Sequence, residues 1–200
     1  MKKFFVNFFP FFVFLIIIFS FLNFFFYEKK YLGKFYPKTL CENISLTKFN
    51  YLNADFDIPE KIEININKDK SWYIKLFSAL DLYKKGNDRI PIDLKKFSKG
   101  SIKVIYPNNI NCKFDGEIRI HGGTFDHIED NNFNKINSSV RVRLLNGHIN
   151  GIDNFKLMLP ATKNFDNEIF TSALLSNLNF ISPLTFYVST KINNINSKMI

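Results

Sequence analysis

The sequence predicts an α+β domain: a mostly antiparallel, twisted sheet with a few helices, preceded by one transmembrane helix. Three observations lead there. Segments that alternate apolar and polar residues outnumber segments with helical spacing. The helical segments are interspersed among the strands rather than alternating strictly with them, which argues against a doubly wound parallel sheet. Apolar residues also crowd the N-terminus, where 12 of the 25 Phe lie between Phe4 and Phe26. The rest of the chain is an ordinary polar–apolar mixture, and its roughly 170 residues are enough to bury a core.

Residues 4–27 carry no charge. At about 1.5 Å rise per residue such a helix crosses the ~30 Å hydrocarbon layer. Lys2 and Lys3 precede it in a tail of residues 1–3, as in a signal peptide. Bulky Phe24, Phe25, Phe26 and Tyr27 stand where a signal peptidase needs small residues, so the expected element is an uncleaved signal anchor. It would make the lipid bilayer a partner and the protein single-pass, with the bulk of the chain outside the cytoplasm. Residues 28–59 read as a connector, and residues 60–200 as the folded domain.

Residues 60–67 place Ile62, Ile64 and Ile66 on one face and predict a strand. Residues 71–85 predict a helix with an apolar stripe of Trp72, Leu76, Ala79, Leu80 and Tyr83, stopped by Gly86. Residues 101–106 predict a strand ended by Pro107-Asn108-Asn109, and residues 116–121 another, ended by Gly122-Gly123. Residues 139–145 alternate Val140, Val142 and Leu144 with Arg141 and Arg143, before the tight-turn pair Asn146-Gly147. Residues 155–159 form a strand that stops at Pro160. Asp166 is placed to cap a helix through Leu178, with Ile169, Phe170, Ala173, Leu174 and Leu178 apolar. A last strand covers residues 184–192.

The net charge is +9, and beyond the apolar segment 25 basic residues face 18 acidic ones, a balance of +7. Only four basic residues are Arg, and the lysines are scattered without a basic run. Nucleic acid is therefore not an expected partner. Heavy use of Lys, Asn, Ile and Phe reads instead as the composition of an AT-rich coding sequence. Cys41 and Cys112 are either one disulfide or two free thiols, and no Cys-x-x-Cys spacing exists for a zinc ribbon or redox site.

Three constellations bear on chemistry. His121, Asp126 and His127 flank a glycine turn and have the residue types of a metal site. No further ligand falls at a diagnostic spacing, so side chains that bond the backbone to shape the loop are the favoured reading. Arg141 and Arg143 point to one side of their strand. They either grip a phosphate or carboxylate or belong to a solvated face paired with acids, and Lys156 on the next strand can join them. Glu168 sits in the first turn of its helix, where the dipole favours an acid, and it can also pair with a strand base. No phosphate loop and no nucleophile-elbow motif is present.

The run Gly116-Glu117-Ile118-Arg119-Ile120-His121-Gly122, then Asp126-His127, then residues 138–144, continues through Gly151-Ile152, Phe155-Lys156-Leu157 and Pro160. Asn167-Glu168-Ile169-Phe170, Ile181-Ser182-Pro183-Leu184-Thr185, Val188 and Lys191-Ile192-Asn193 follow. In this order they resemble the N-terminal portion of the CotH-like family, the spore-coat-type atypical protein kinases, over about 80 residues. The resemblance implies a kinase N-lobe-like fold that covers a nucleotide. A base from Arg141, Arg143 or Lys156 would approach phosphate oxygens and Glu168 would orient it. ATP and Mg2+ would be the cofactors and a protein the substrate. Where the family has Gly-Asp this chain has Gly122-Gly123, so an acid is missing there.

The family's catalytic acids lie beyond the last strand seen here, so the chain is expected to be truncated, ending mid-turn and inactive alone. The alternative expectation is a non-catalytic envelope or surface module that binds a partner.

Overall fold

The computed structural model describes residues 18–20, 41–42, 58–107, 110–130, 135–149 and 151–200. The chain divides into two units, Met1–Pro37 and Lys38–Ile200. In the first, residues 18–20 are helical. Among the described residues no helix is long and apolar enough to cross a membrane. The expected transmembrane signal anchor, and with it a single-pass membrane localisation, is therefore not supported. Apart from residues 18–20, the 4–27 segment lies outside the described residues.

The second unit is mostly β. Its strands are β1 Cys41–Glu42, β2 Lys61–Ile66, β3 Ser98–Ile105, β4 Asn111–Ile120, β5 Ile128–Asp130, β6 Ile136–Ser138, β7 Val140–Leu144, β8 Asn154–Leu157, β9 Val188–Ile192 and β10 Ile195–Met199. Its two longer helices are α1, Asp69–Lys84, and α2, Asp166–Asn177. The main sheet runs β10-β9-β2-β3-β4-β7-β8, with β1 paired to β4 beside this path, while β5 and β6 form a separate ladder. Every pairing is antiparallel except β2 with β9. The α+β class and the small kinase N-lobe-like sheet are thus corrected to a mostly β fold on one large curled sheet.

The correction has a local cause. Residues 111–115 extend β4, and Cys112 and Phe114 there continue its buried face. Residues 195–199 form β10, which folds back on β9, whereas the sequence predicts a chain ending mid-turn. Asn193 makes that reversal possible by adopting φ 50, a left-handed conformation that Asn tolerates. Its side-chain Oδ1 accepts the Ile66 N–H at 2.8 Å, and its own N–H donates to the Ile64 carbonyl at 2.7 Å. The turn is thereby tied to the neighbouring strand β2.

Alternation sorts the sheet into two faces. Ile62, Ile64, Ile102, Val104, Ile118, Ile120, Val140 and Val142 are buried on the inner face. Helix α1 covers part of it with Trp72, Leu76 and Ala79, as the stripe predicted, while Tyr83 remains exposed and meets the Phe125 ring at 5.1 Å. Each fully buried Leu or Ile stabilises the fold by about 1.5–3 kcal/mol. Helix α2 differs from α1: its buried residue is Ser172, while Phe170, Leu174 and, just beyond the helix, Leu178 are exposed. Ser172 is held by side-chain contact with Thr185 at 3.0 Å and by the Ser182 hydroxyl, which donates to its carbonyl.

The ends of the strand path approach each other. Met158, just after β8, and Ile200, just after β10, exchange two backbone hydrogen bonds. The curled sheet therefore meets itself along a short seam.

Candidate functional site: the seam cavity and the basic outer face

A cavity of about 430 Å3 opens at this seam. Its wall is largely apolar, with Ile62, Leu157 and Val188 from the sheet and Leu184 and Phe186 from the segment before β9. Lys156, Lys163 and Glu168 are the charged residues of its lining. The Lys163 Nζ stands 3.3 Å from Glu168 Oε2, and both side chains are about one-third exposed, at 32% and 33%.

Local structure brings this pair together. After β8, Leu159 leads into a 3-10 turn at Pro160–Lys163, where Pro favours the first helical position. The Thr162 hydroxyl donates to the Leu159 carbonyl at 2.7 Å and tightens that turn. Asn164 and Phe165 then take positive φ, and α2 begins immediately. Two reversals in five residues place Lys163 beside the first turn of α2, where Glu168 already lies in the favourable end of the helix dipole. Asp166, expected as the cap, is instead the first helical residue, and it accepts a hydrogen bond from Tyr187 that raises the phenol's pKa.

The other expected nucleotide-binding residues lie on the outer face of the sheet. Arg143 faces Glu117 across β4 and β7 with 3.3 Å between Nη1 and Oε2, and it stacks over the Phe97 ring at 4.6 Å. The solvated, acid-paired reading thus describes Arg143. Arg141 has no acid opposite. Its register partners are Arg119 on β4 and Lys156 on β8, and its Nε donates to Asn154 Oδ1 at 2.9 Å. Lys156 belongs both to this row and to the lining of the cavity.

His121 and His127 come together edge to face, with ring centroids 5.6 Å apart. Gly122, at φ +100, makes this contact possible, because a Cβ there would fall on the His127 ring. Burial and then the positive charges of Lys156, His127, Arg119 and Arg141 push the His121 pKa down to about 4. Burial also lowers that of His127; Asp126 opposes the shift, and Lys163 and Lys95 reinforce it. Asp126 accepts a hydrogen bond from the Thr124 hydroxyl, as a loop-shaping acid does. Among the described residues no group of three or more His, Cys, Asp or Glu is placed to hold a metal ion.

Cys112 is buried and disulfide-bonded, and the β1–β4 register sets Cys41, the chain's other cysteine, directly opposite it.

The sequence-predicted set therefore splits. Lys156 and Glu168 share the cavity, Arg141 and Lys156 share the basic row, and Arg143 is engaged by Glu117. Two contributors were missed. Lys163 has no pattern signal because it follows Pro160 in irregular chain. Arg119 was legible as an outward residue of β4, but only the register reveals that it faces Arg141. Comparison with known protein families, with curated proteins and with solved structures finds no match.

Proposed function

We propose that the seam cavity binds a nucleotide and that the chain is the nucleotide-binding part of a CotH-like phosphotransferase acting on a protein. The observation that carries this reading is the Lys163–Glu168 ion pair in the lining of a largely apolar cavity. An apolar wall suits a flat heterocyclic base, and a lysine steadied by a helix-borne Glu suits phosphate oxygens. Lys163 takes the role expected of Arg141, Arg143 or Lys156, and Glu168 keeps the orienting role the resemblance implies. ATP fits these residues in chemistry. A magnesium site does not: Glu168 is the sole acidic side chain among the cavity's lining residues and is already bound to Lys163, so no step is routed through the metal.

Titration of the full chain with a fluorescent ATP analogue tests the reading. Saturable binding should weaken at least tenfold in Lys163→Ala and also in Leu184→Trp, which fills the cavity. Binding indifferent to both substitutions, or none at millimolar analogue, would remove the assignment.

A non-catalytic module that binds a partner is the second reading. It is favoured by the exposed apolar residues Phe170, Leu174, Leu178, Phe180 and Ile181 along and after α2. Absence of nucleotide binding together with retained folding would move the weight to it.

A further inference from the structure

The register of β4, β7 and β8 lines up Arg119, Arg141 and Lys156 in one row across three adjacent strands. Neighbouring strands lie about 4.8 Å apart, so the row spans about 10 Å. Alternation turns all three side chains outward, since Ile118, Ile120, Val140, Val142 and Leu157 are buried on the other face. His121 is the next outward position after Arg119; burial and the neighbouring positive charges keep its ring neutral, and Lys95 and Lys163 face its neighbour His127.

Like charges directly opposite one another destabilise a sheet. An acid would ordinarily be interposed. Glu117, the acid two positions before Arg119 on the same face of β4, is committed to Arg143 at 3.3 Å. Arg119 rests over the Phe97 ring at 5.4 Å, and Arg141 donates to the neutral Asn154. Neither contact supplies a negative charge. The row is thus a set of cationic donors, two of them guanidinium forks, for which no ion pair with an acid is found among the described residues.

We infer that the outer face at Arg119, Arg141, Lys156 and His121 is a binding site for a phosphate-type tetrahedral oxyanion. Two guanidinium forks on adjacent strands offer paired N–H donors matched to such oxygens, and Lys156 adds a point charge at the open edge. The site is distinct from the interior of the cavity and does not depend on nucleotide binding there.

The test is calorimetric titration of the full chain at low salt with inorganic phosphate and, separately, with tripolyphosphate. His121 is followed by NMR in the same samples. One-to-one binding of either probe, with the His121 pKa rising by about one unit or more, is expected. Arg119→Gln with Arg141→Gln should weaken binding at least tenfold. Lys191→Gln, which removes a charge elsewhere on the sheet, should leave it unchanged. Tighter binding of tripolyphosphate would identify linked phosphates as the ligand; equal binding would identify a single phosphate group. If the double variant does not fold, Lys156→Gln should still weaken phosphate at least threefold. Leu184→Trp should not change it, which separates this site from the cavity. An unmoved His121 with both probes, or equal weakening by Lys191→Gln, would overturn the inference.

Discussion

Met158 and Ile200 hydrogen-bond reciprocally: the Met158 N–H donates to the Ile200 carbonyl at 2.7 Å, and the Ile200 N–H donates to the Met158 carbonyl at 2.9 Å. These residues follow β8 and β10, the two ends of the strand path. A single reciprocal pair thus turns an open sheet toward closure and satisfies backbone groups that an edge would leave to solvent. It also sets the cavity, because Leu157, Met158 and Ile200 all line it.

The seam is testable. Met199 is fully buried beside it. Met199→Ala should cost about 2–5 kcal/mol in urea unfolding, because a buried methionine leaves a void. The Met158 and Ile200 amides should exchange with deuterium as slowly as core amides of β3 and β4. Exchange at the rate of an exposed loop would mean that the ends do not meet.

The disulfide at Cys112 should be a major stabiliser. Its partner in the register lies about 70 residues earlier, and closing a loop of that length restricts the unfolded chain strongly. The expected loss on reduction, or in Cys112→Ala, is about 2–4 kcal/mol. Urea midpoints with and without reductant measure it directly. Coincident curves would show that the disulfide contributes nothing to stability.

Much of the framework was legible because periodicity is a local property. Ile62, Ile64 and Ile66 announced β2, and Trp72, Leu76 and Ala79 announced the buried stripe of α1. The misread parts depend on distant partners. Nothing local in Ile195-Asn196-Ser197-Lys198-Met199 requires a strand until β9 offers its edge. The apolar positions of α2 were legible, but spacing alone does not say which surface a helix meets, and Phe170 and Leu174 are exposed. The site followed the same rule. Residue types at Arg141, Lys156 and Glu168 pointed to anion chemistry, whereas Lys163 and Arg119 gained their significance only through three-dimensional neighbours.

Gly122 is a second point of control. Its φ of +100 disfavours any side chain, and the space a Cβ would need is occupied by the His127 ring. Gly122→Ala should therefore cost about 2–4 kcal/mol, combining backbone strain with overpacking. It should also displace His127, which NMR of the imidazole would register. Gly123→Ala is the contrast, because a Cβ there meets nothing within 4 Å, and its melting temperature should stay close to that of the parent.

Stability should fall in mild acid because of the same loop. The His121 pKa is held near 4 in the folded chain, against an ordinary value of 6.5, and that of His127 is lowered as well. Between these values the unfolded chain binds more protons, so stability rises with pH across this range. The His121 contribution is complete above pH 6.5, declines as the pH falls toward 4, and levels off below the folded value. The His121 shift alone corresponds to about 3 kcal/mol, which solvent screening at a half-buried ring reduces to about 1–2 kcal/mol. His121→Gln should flatten the profile between pH 4 and 6.5, and bound phosphate should flatten it too by offsetting the repulsion from Arg119, Arg141 and Lys156. A parent profile already flat in this window would show that burial and the neighbouring charges do not hold the His121 pKa down.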